Sequence, residues 1–234
     1  MKFSLIIPCY NEAENIPFLL DRCKLTASHP GVEIILVNNG STDGSEALFE
    51  KLLPLYPGCR LLSLDHNKGY GGGIIAGLNI AKGDLLGWTH ADLQTDPKDA
   101  LTGLALLENT GSSSFIKGRR YGRPFSDIFF TVGMSFFESL ILSKPMWDIN
   151  AQPTMFSRKF FDTWISPPTD FSLDLYAYYS AKRQKLSIHR FPVEFAKRSY
   201  GVSSWNINWT GKWKFIRRTL AFSFRLKRTL QLWK

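Results

Sequence analysis

Four apolar runs of strand length, each closing on a cluster of polar residues, constrain this chain more than any other feature. Phe3 to Ile7 ends at Pro8 and reads as a buried strand. Beyond it Asn11, with Glu14 three residues on, is expected to cap a helix whose inner face is Ile16, Leu19, Leu20 and Cys23. Val32 to Val37 is the second strand; the turn Asn38-Asn39-Gly40-Ser41-Thr42-Asp43-Gly44 feeds a helix near Ser45 to Leu53. Arg60 to Leu64 is the third strand, after which Asn67 to Gly73 leads into a helix through Ala81. Asp84 to Thr89 is the fourth. Strand and helix alternating at this spacing imply parallel βαβ units and an open α/β sheet. Every polar cluster follows the C-terminal end of a strand, the edge where such sheets bind ligands.

The later part is less regular. A helix follows Pro97, with Leu101, Leu104 and Leu107 on one side, and a strand lies around Phe115 to Gly118. Arg123 to Leu142 is aromatic-rich and amphipathic, Asn150 to Ser157 looks extended, Asp174 begins a short helix through Ala181, and Ile188 to Val193 is another strand. With no repeat or low-complexity linker, the expected organisation is one domain over residues 1–205 and a helical tail over 206–234.

Of 234 residues, 44% are apolar and 14% aromatic, ample for a packed core, which excludes a disordered chain. Charge is unevenly placed: 14 of the 29 Lys/Arg but only one acid, Glu194, follow Ala181. A near-neutral body with a basic end fits an anionic surface or a phosphate-rich ligand. Cys9, Cys23 and Cys59 are odd in number and lack C-x-x-C spacing, so they signal neither a disulfide framework nor a zinc site. Ile128 to Leu142 is too short to span a bilayer and contains Glu138, while Phe3 to Ile7 is a strand rather than a signal peptide. The expected compartment is a reducing cytosol.

Two segments carry candidate chemistry. Gly69 to Gly73 lets a backbone approach a ligand closely, but serves equally as a plain turn. No G-x-G-x-x-G follows the first strand and no Walker lysine follows the glycines, which disfavours nicotinamide and P-loop enzymes. In His90-Ala91-Asp92-Leu93-Gln94-Thr95-Asp96-Pro97, residues 90, 92 and 94 share one side if the segment is extended. An imidazole, a carboxylate and an amide oxygen there suit a divalent cation bridging a diphosphate, Mg²⁺ or Mn²⁺. The same residues also read as a turn capped by Asp92 and a helix start at Asp96-Pro97.

Taken in order, Ser4-Leu-Ile-Ile-Pro8-Cys-Tyr10-Asn11-Glu12, Val37-Asn-Asn-Gly-Ser-Thr-Asp-Gly44, Asn67-Lys-Gly69, Gly83-Asp84 and Ala91-Asp92-Leu93-Gln94 resemble the inverting GT-A glycosyltransferases of family 2. The dolichol-phosphate mannose synthase-like branch is the most similar, and the likeness covers roughly residues 3 to 205. The resemblance implies an open mixed sheet flanked by helices. It also implies that Pro8, Tyr10 and Glu12 hold the base and ribose of a nucleotide-sugar, with Asn39 at the base, Lys68 and Gly69 in the donor loop, and Ala91 beside the ribose. Asp92 and Gln94 fall on metal-binding positions, with His90 beside them. Lys117-Gly118-Arg119-Arg120-Tyr121 resembles the family's G-S-R-Y, making Arg120 a candidate phosphate contact, and Arg198-Ser-Tyr-Gly201-Val-Ser203 resembles a loop that closes over the diphosphate. His90 and Asn38-Asn39 stand where the family has aspartates, and Ser204 where a basic residue is common. Asp92 is retained, which implies an active enzyme.

In such a reaction a metal, Arg120 and Arg198 would stabilise the charge developing on the nucleoside diphosphate. A phosphate acceptor is already ionised and needs no base, whereas a hydroxyl does. Asp174 matches the region where sugar-acceptor relatives place that base, though it also reads as a helix cap. Asn150-Ala151-Gln152-Pro153 fits either an acceptor pocket or an edge turn.

From Trp209 the tail has helical periodicity. Trp209, Trp213, Ile216, Leu220 and Phe224 cluster on one face, Lys214, Arg217, Arg218, Arg225 and Arg228 adjoin them, and Lys227 interrupts the apolar side. Such a helix suits an anionic bilayer surface. The alternative is a helix packed on the body, which leaves the dense positive charge unexplained. Phe125 to Leu142 is a second candidate interfacial element. The expectation is therefore a peripheral enzyme on the cytoplasmic face, moving a sugar from a nucleotide-sugar to polyprenyl phosphate. The alternatives are a lipid-linked or free saccharide as acceptor, or a nucleic-acid-binding module. The last is disfavoured because the tail's aromatics form one stripe instead of interleaving with its cations.

Overall fold

The computed structural model of the protein describes residues 2–196, 217 and 219–228. The chain runs β1 (Phe3–Cys9), α1 (Ile16–Ala27), β2 (Val32–Asn39), α2 (Ser45–Leu52), β3 (Cys59–Leu64), α3 (Gly69–Ile80) and β4 (Leu85–Trp88). It continues through α4 (Asp99–Thr110), β5 (Ser114–Tyr121), α5 (Phe125–Leu142), β6 (Thr154–Ser157), α6 (Arg158–Phe161), α7 (Leu173–Arg183) and β7 (Ser187–Glu194). A C-terminal helix occupies 219–228.

The strands form one seven-stranded sheet in the order β3-β2-β1-β4-β6-β5-β7, parallel except for β6. The sheet is the mixed α/β sheet expected. Alternation along the strands divides its two faces: Phe3, Leu5, Ile7, Ile34 and Leu36 join one buried cluster with α1 and α4, and Ile6, Ile35 and Val37 join the other with α3 and α7. Cys23 is buried on the inner face of α1, as its spacing implied.

Because β1 feeds β2 on one side and abuts β4 on the other, the chain diverges between the C-terminal ends of β1 and β4. A crevice at that switch point is the ligand-binding place of open α/β sheets. The antiparallel β6 begins at the same edge, since Thr154 pairs with Trp88 and with Lys117.

Local expectations change in three places. Asn11 is no helix cap: it has φ 54°, and its side-chain oxygen accepts from the Thr42 N–H at 2.8 Å. α1 starts later, at Ile16, with Pro17 in its first turn. Gly69 to Gly73 are not a loop but the opening turns of α3. The 168–170 backbone lies so close to them that a Cβ on Gly71 would stand 2.5 Å from the Pro168 oxygen, so a bare helix face is what lets that segment pack.

Candidate functional site

The donor side is built from two loops laced together. The Ala13 N–H donates to Asp43 at 2.9 Å and the Asn11 N–H to Ser41 Oγ at 3.0 Å, which fixes the turn after β1 against the turn after β2. Tyr10 is exposed at that edge, Pro8 and Glu12 are half-buried, and the Glu12 carboxylate accepts from Asn15 at 2.5 Å. Asn39 is buried and engaged in the scaffold: it donates to the Gly69 oxygen at 3.0 Å and accepts from the Lys68 N–H at 3.1 Å. It thereby tethers Lys68 and Gly69 to the end of β2, in the same cluster of loops.

The segment after β4 is a turn and not extended. Leu93 has φ 61°, Thr89 and Thr95 hydroxyls meet at 3.0 Å, and Asp92 accepts the Gln94 N–H at 3.2 Å. Alternation therefore does not align His90, Asp92 and Gln94, since the left-handed Leu93 breaks the run between the last two. The Gln94 side chain donates to the Ala196 oxygen at 3.2 Å, which leaves its own amide oxygen directed away from that bond. Ala91 is buried beneath. Among the described residues no group of three or more His, Cys, Asp or Glu side chains is gathered to hold a metal. A single carboxylate such as Asp92 holds Mg²⁺ only where diphosphate oxygens and water complete the shell, which is that ion's usual habit.

The His90 ring stacks on Tyr70 at 5.8 Å, and Tyr70 stacks in turn on Phe171 at 4.8 Å. Below them lies a buried polar cluster. Gln152 Nε2 donates to the Tyr70 hydroxyl at 3.2 Å and to Asp174 at 2.6 Å, and Lys117 Nζ is 3.7 Å from the same Asp174 oxygen. Asp174 sits in the first turn of α7 without a capping bond, so it is a partner of Gln152 and Lys117 instead of a helix cap. Burial, against the pull of Asp174, brings the Lys117 ammonium down to about 7.

Where β5 ends, cations gather. Arg120 binds Asp148 through Nε at 2.9 Å, through a terminal guanidinium nitrogen, and through its main-chain N–H at 3.2 Å. Arg123 lies 3.9 Å from the same carboxylate, and Arg190 donates to the main-chain oxygens of Trp147, Asp148 and Gly118. Burial raises the Asp148 carboxyl, but the charge and hydrogen bonds of Arg120, with Arg123 behind, hold it below the usual range. Arg198 lies outside the described residues, as do Trp209, Trp213, Lys214, Ile216 and Arg218 of the tail.

The next turn begins an apolar surface. Phe125 and Phe129 of α5 are 86% and 78% exposed, and Val132, Phe136 and Leu140 continue that stripe at helical spacing. The inner side of α5 carries Glu138, which accepts a hydrogen bond from Ser223 of the C-terminal helix. Leu226 of that helix joins Leu142 and Met146 in the core, and Lys227, out of place on an apolar face, donates to Ser143 at 3.1 Å. The described part of the tail thus packs on the body, leaving Phe224, Arg225 and Arg228 outward.

Sequence reasoning singled out neither Tyr70, Asp148, Lys117 nor Arg123. A lysine among the apolar residues of Ser114–Gly118 was the legible signal for one of them.

An open sheet whose loops meet at the switch point carries the Asp92 turn after β4 and an arginine cluster at the end of β5. The chain belongs to glycosyl transferase family 2, whose model matches residues 4–165. It is 39% identical over 104 residues to the undecaprenyl-phosphate 4-deoxy-4-formamido-L-arabinose transferase of Yersinia pestis (strain Pestoides F), covering 42% of this chain and 31% of that relative. This chain therefore aligns with less than a third of that protein. Its fold resembles glucosyl-3-phosphoglycerate synthase from Mycobacterium tuberculosis in complex with Mn²⁺, UDP and phosphoglyceric acid, with a TM-score of 0.75 at 16% identity over 97% of this chain and 78% of that one. A mannosyltransferase from Pyrobaculum calidifontis in complex with GDP-Man and Mn²⁺ aligns with a TM-score of 0.67 at 19% identity, over 96% and 69%. These likenesses establish the GT-A fold.

Proposed function

We propose that the protein is an inverting glycosyltransferase that moves a sugar from a nucleotide-sugar to a polyprenyl phosphate at a membrane surface. The observation that carries the acceptor is the meeting of Arg120 and Arg123 on the single carboxylate of Asp148, with Arg190 alongside, one turn from the exposed Phe125 and Phe129. A surplus of guanidinium charge beside an apolar helix suits a phosphate carried on a hydrocarbon chain. The relative that acts on undecaprenyl phosphate supports this reading.

On the donor side, Tyr10 and Glu12 would flank the base and ribose with Pro8 and Ala91 beneath, while Asn39 keeps Lys68 and Gly69 at the rim. Asp92 and Gln94, with His90 beside them, would hold Mg²⁺ or Mn²⁺, which when bound neutralises charge on the departing diphosphate. The Mn²⁺ in both structural neighbours supports a divalent cation. Arg120, and Arg198 from the following segment, would steady phosphate charge. An ionised phosphate attacks without a base, which agrees with Asp174 lying buried and already bonded.

The exposed face of α5 and the outward Phe224, Arg225 and Arg228 support peripheral binding to an anionic membrane; the cytoplasmic face is part of the proposal. No described helix is long and apolar enough to cross a membrane. Nucleic acid is not a partner in this reading; liposome flotation and filter binding compare the two directly.

The deciding assay supplies radiolabelled nucleotide-sugars with either polyprenyl phosphate or a lipid-linked saccharide. Product on polyprenyl phosphate is expected. Transfer only to the saccharide, abolished by Asp174→Asn, would replace this reading with a hydroxyl acceptor and Asp174 as base.

A further inference from the structure

Lys117 is a fully buried lysine in the middle of the sheet. It lies on β5 between Ile116 and Gly118 with its side chain 0% exposed, and Asp174 opposite it is 2% exposed. Its ammonium donates to the Ala151 oxygen at 2.8 Å and to Thr154 Oγ1 at 2.7 Å, and reaches toward Asp174 at 3.7 Å. Burying a cation costs several kcal/mol unless its partners repay it, and an apolar residue would fill a β5 position flanked by Phe115 and Ile116 at no such cost. The ion pair therefore needs another reason.

The bonds radiating from it supply one. Asp174 accepts from Gln152, Gln152 also bonds the Tyr70 hydroxyl, and Tyr70 is held in a stack between Phe171 and His90. The ammonium thus anchors a chain of contacts that passes from β5 through the turn before β6, the first turn of α7 and the first turn of α3, and ends on the ring next to Ala91-Asp92.

We propose that Lys117 is a positioning residue: paired with Asp174, it fixes Gln152 and Tyr70 so that the Tyr70 ring sets the orientation of His90 at the donor edge. The proposal deepens the transferase reading, and assigns Asp174 a role in holding Tyr70 instead of taking a proton.

The test uses the full chain and no substrate. Lys117→Met, Asp174→Asn and the double variant are compared by thermal melting and by the imidazole resonances of the four histidines, His90 being assigned with His90→Gln. Each single change is expected to lower the melting temperature, and the double variant to recover most of the loss, because neither charge is then left alone. The His90 resonance is expected to move in Lys117→Met and in Tyr70→Leu and to stay displaced in the double variant, which recovers stability but lacks the pair, while His29 and His66 stay. A His90 resonance indifferent to Lys117→Met and Tyr70→Leu would overturn the proposal, as would losses that simply add.

A parallel calorimetric titration with UDP and then GDP in the presence of Mn²⁺ separates this from the transferase reading. Absence of nucleotide binding by the unaltered chain counts against that reading, whereas the histidine resonances judge the positioning role alone.

Discussion

Gln94 and Ala196 hold each other by a reciprocal pair of hydrogen bonds: the Ala196 N–H donates to the Gln94 oxygen at 2.9 Å, and the Gln94 side chain donates to the Ala196 oxygen at 3.2 Å. The end of β7 is thereby pinned to the turn that carries Asp92. Asp92→Ala is expected to abolish the gain in nucleoside diphosphate affinity that Mn²⁺ provides, whereas Gln94→Ala, which keeps the main-chain bond, is expected to reduce it only in part. Calorimetry with and without the metal measures both, and unchanged Mn²⁺ dependence in Asp92→Ala would remove that residue from the metal site.

The arginine cluster makes a separable prediction. If Arg120 faces the acceptor phosphate, as the proposed function has it, Arg120→Ala is expected to suppress transfer to polyprenyl phosphate while leaving diphosphate affinity within a few-fold. Asp148→Ala leaves the half-buried guanidiniums of Arg120 and Arg123 without their buried carboxylate and is expected to cost about 3 kcal/mol by chemical denaturation. A loss under 1 kcal/mol would mean the cluster is solvated.

Glu138 gives a pH signature. Its burial between α5 and the C-terminal helix raises its carboxyl to about 7, against a partial offset from Ser223. The folded chain therefore keeps a proton that the unfolded chain releases near 4.5, so this residue makes stability fall as pH rises from about 4.5 to about 7. A rise of that size corresponds to roughly 3 kcal/mol. Glu138→Gln is expected to flatten that part of the stability profile and to raise the melting temperature above pH 7.5. Identical pH profiles for the two proteins would refute the assignment.

Membrane binding is expected to reside mainly in α5. Phe125→Asp with Phe129→Asp puts charge on the most exposed part of its apolar stripe without touching the buried side. Flotation with anionic liposomes is expected to fall several-fold, while the far-ultraviolet spectrum stays the same. Undiminished flotation would shift the membrane contact to residues 206–234.

Much of this molecule was legible in one dimension. The strands around Phe3, Val32, Arg60 and Leu85 and the helices between them appear near their expected places because apolar runs closed by Pro, Asn and Gly report local backbone preference directly. The resemblance to family 2 singled out Asp92, Tyr10, Glu12 and Asn39, and the structure puts each at or beyond the C-terminal end of a strand, on one edge of the sheet. The turn capped by Asp92 was one of the two readings that residues 90–97 allowed, and it holds; that Leu93 supplies its left-handed residue was not legible, because a left-handed leucine has no compositional signature. Gly69 to Gly73 were misplaced because their neighbour, the 168–170 backbone, is distant in sequence.

Sequence alone therefore determined the alternating layers, the edge at which polar residues collect and the kinship with family 2, since all three depend on local order along the chain. The tertiary structure decided which polar residues are partners: Lys117 with Asp174, Arg120 with Asp148, Glu138 with Ser223. Each pair joins segments far apart in the chain, and a buried charge finds its partner only once strand order and helix packing have excluded water from around both.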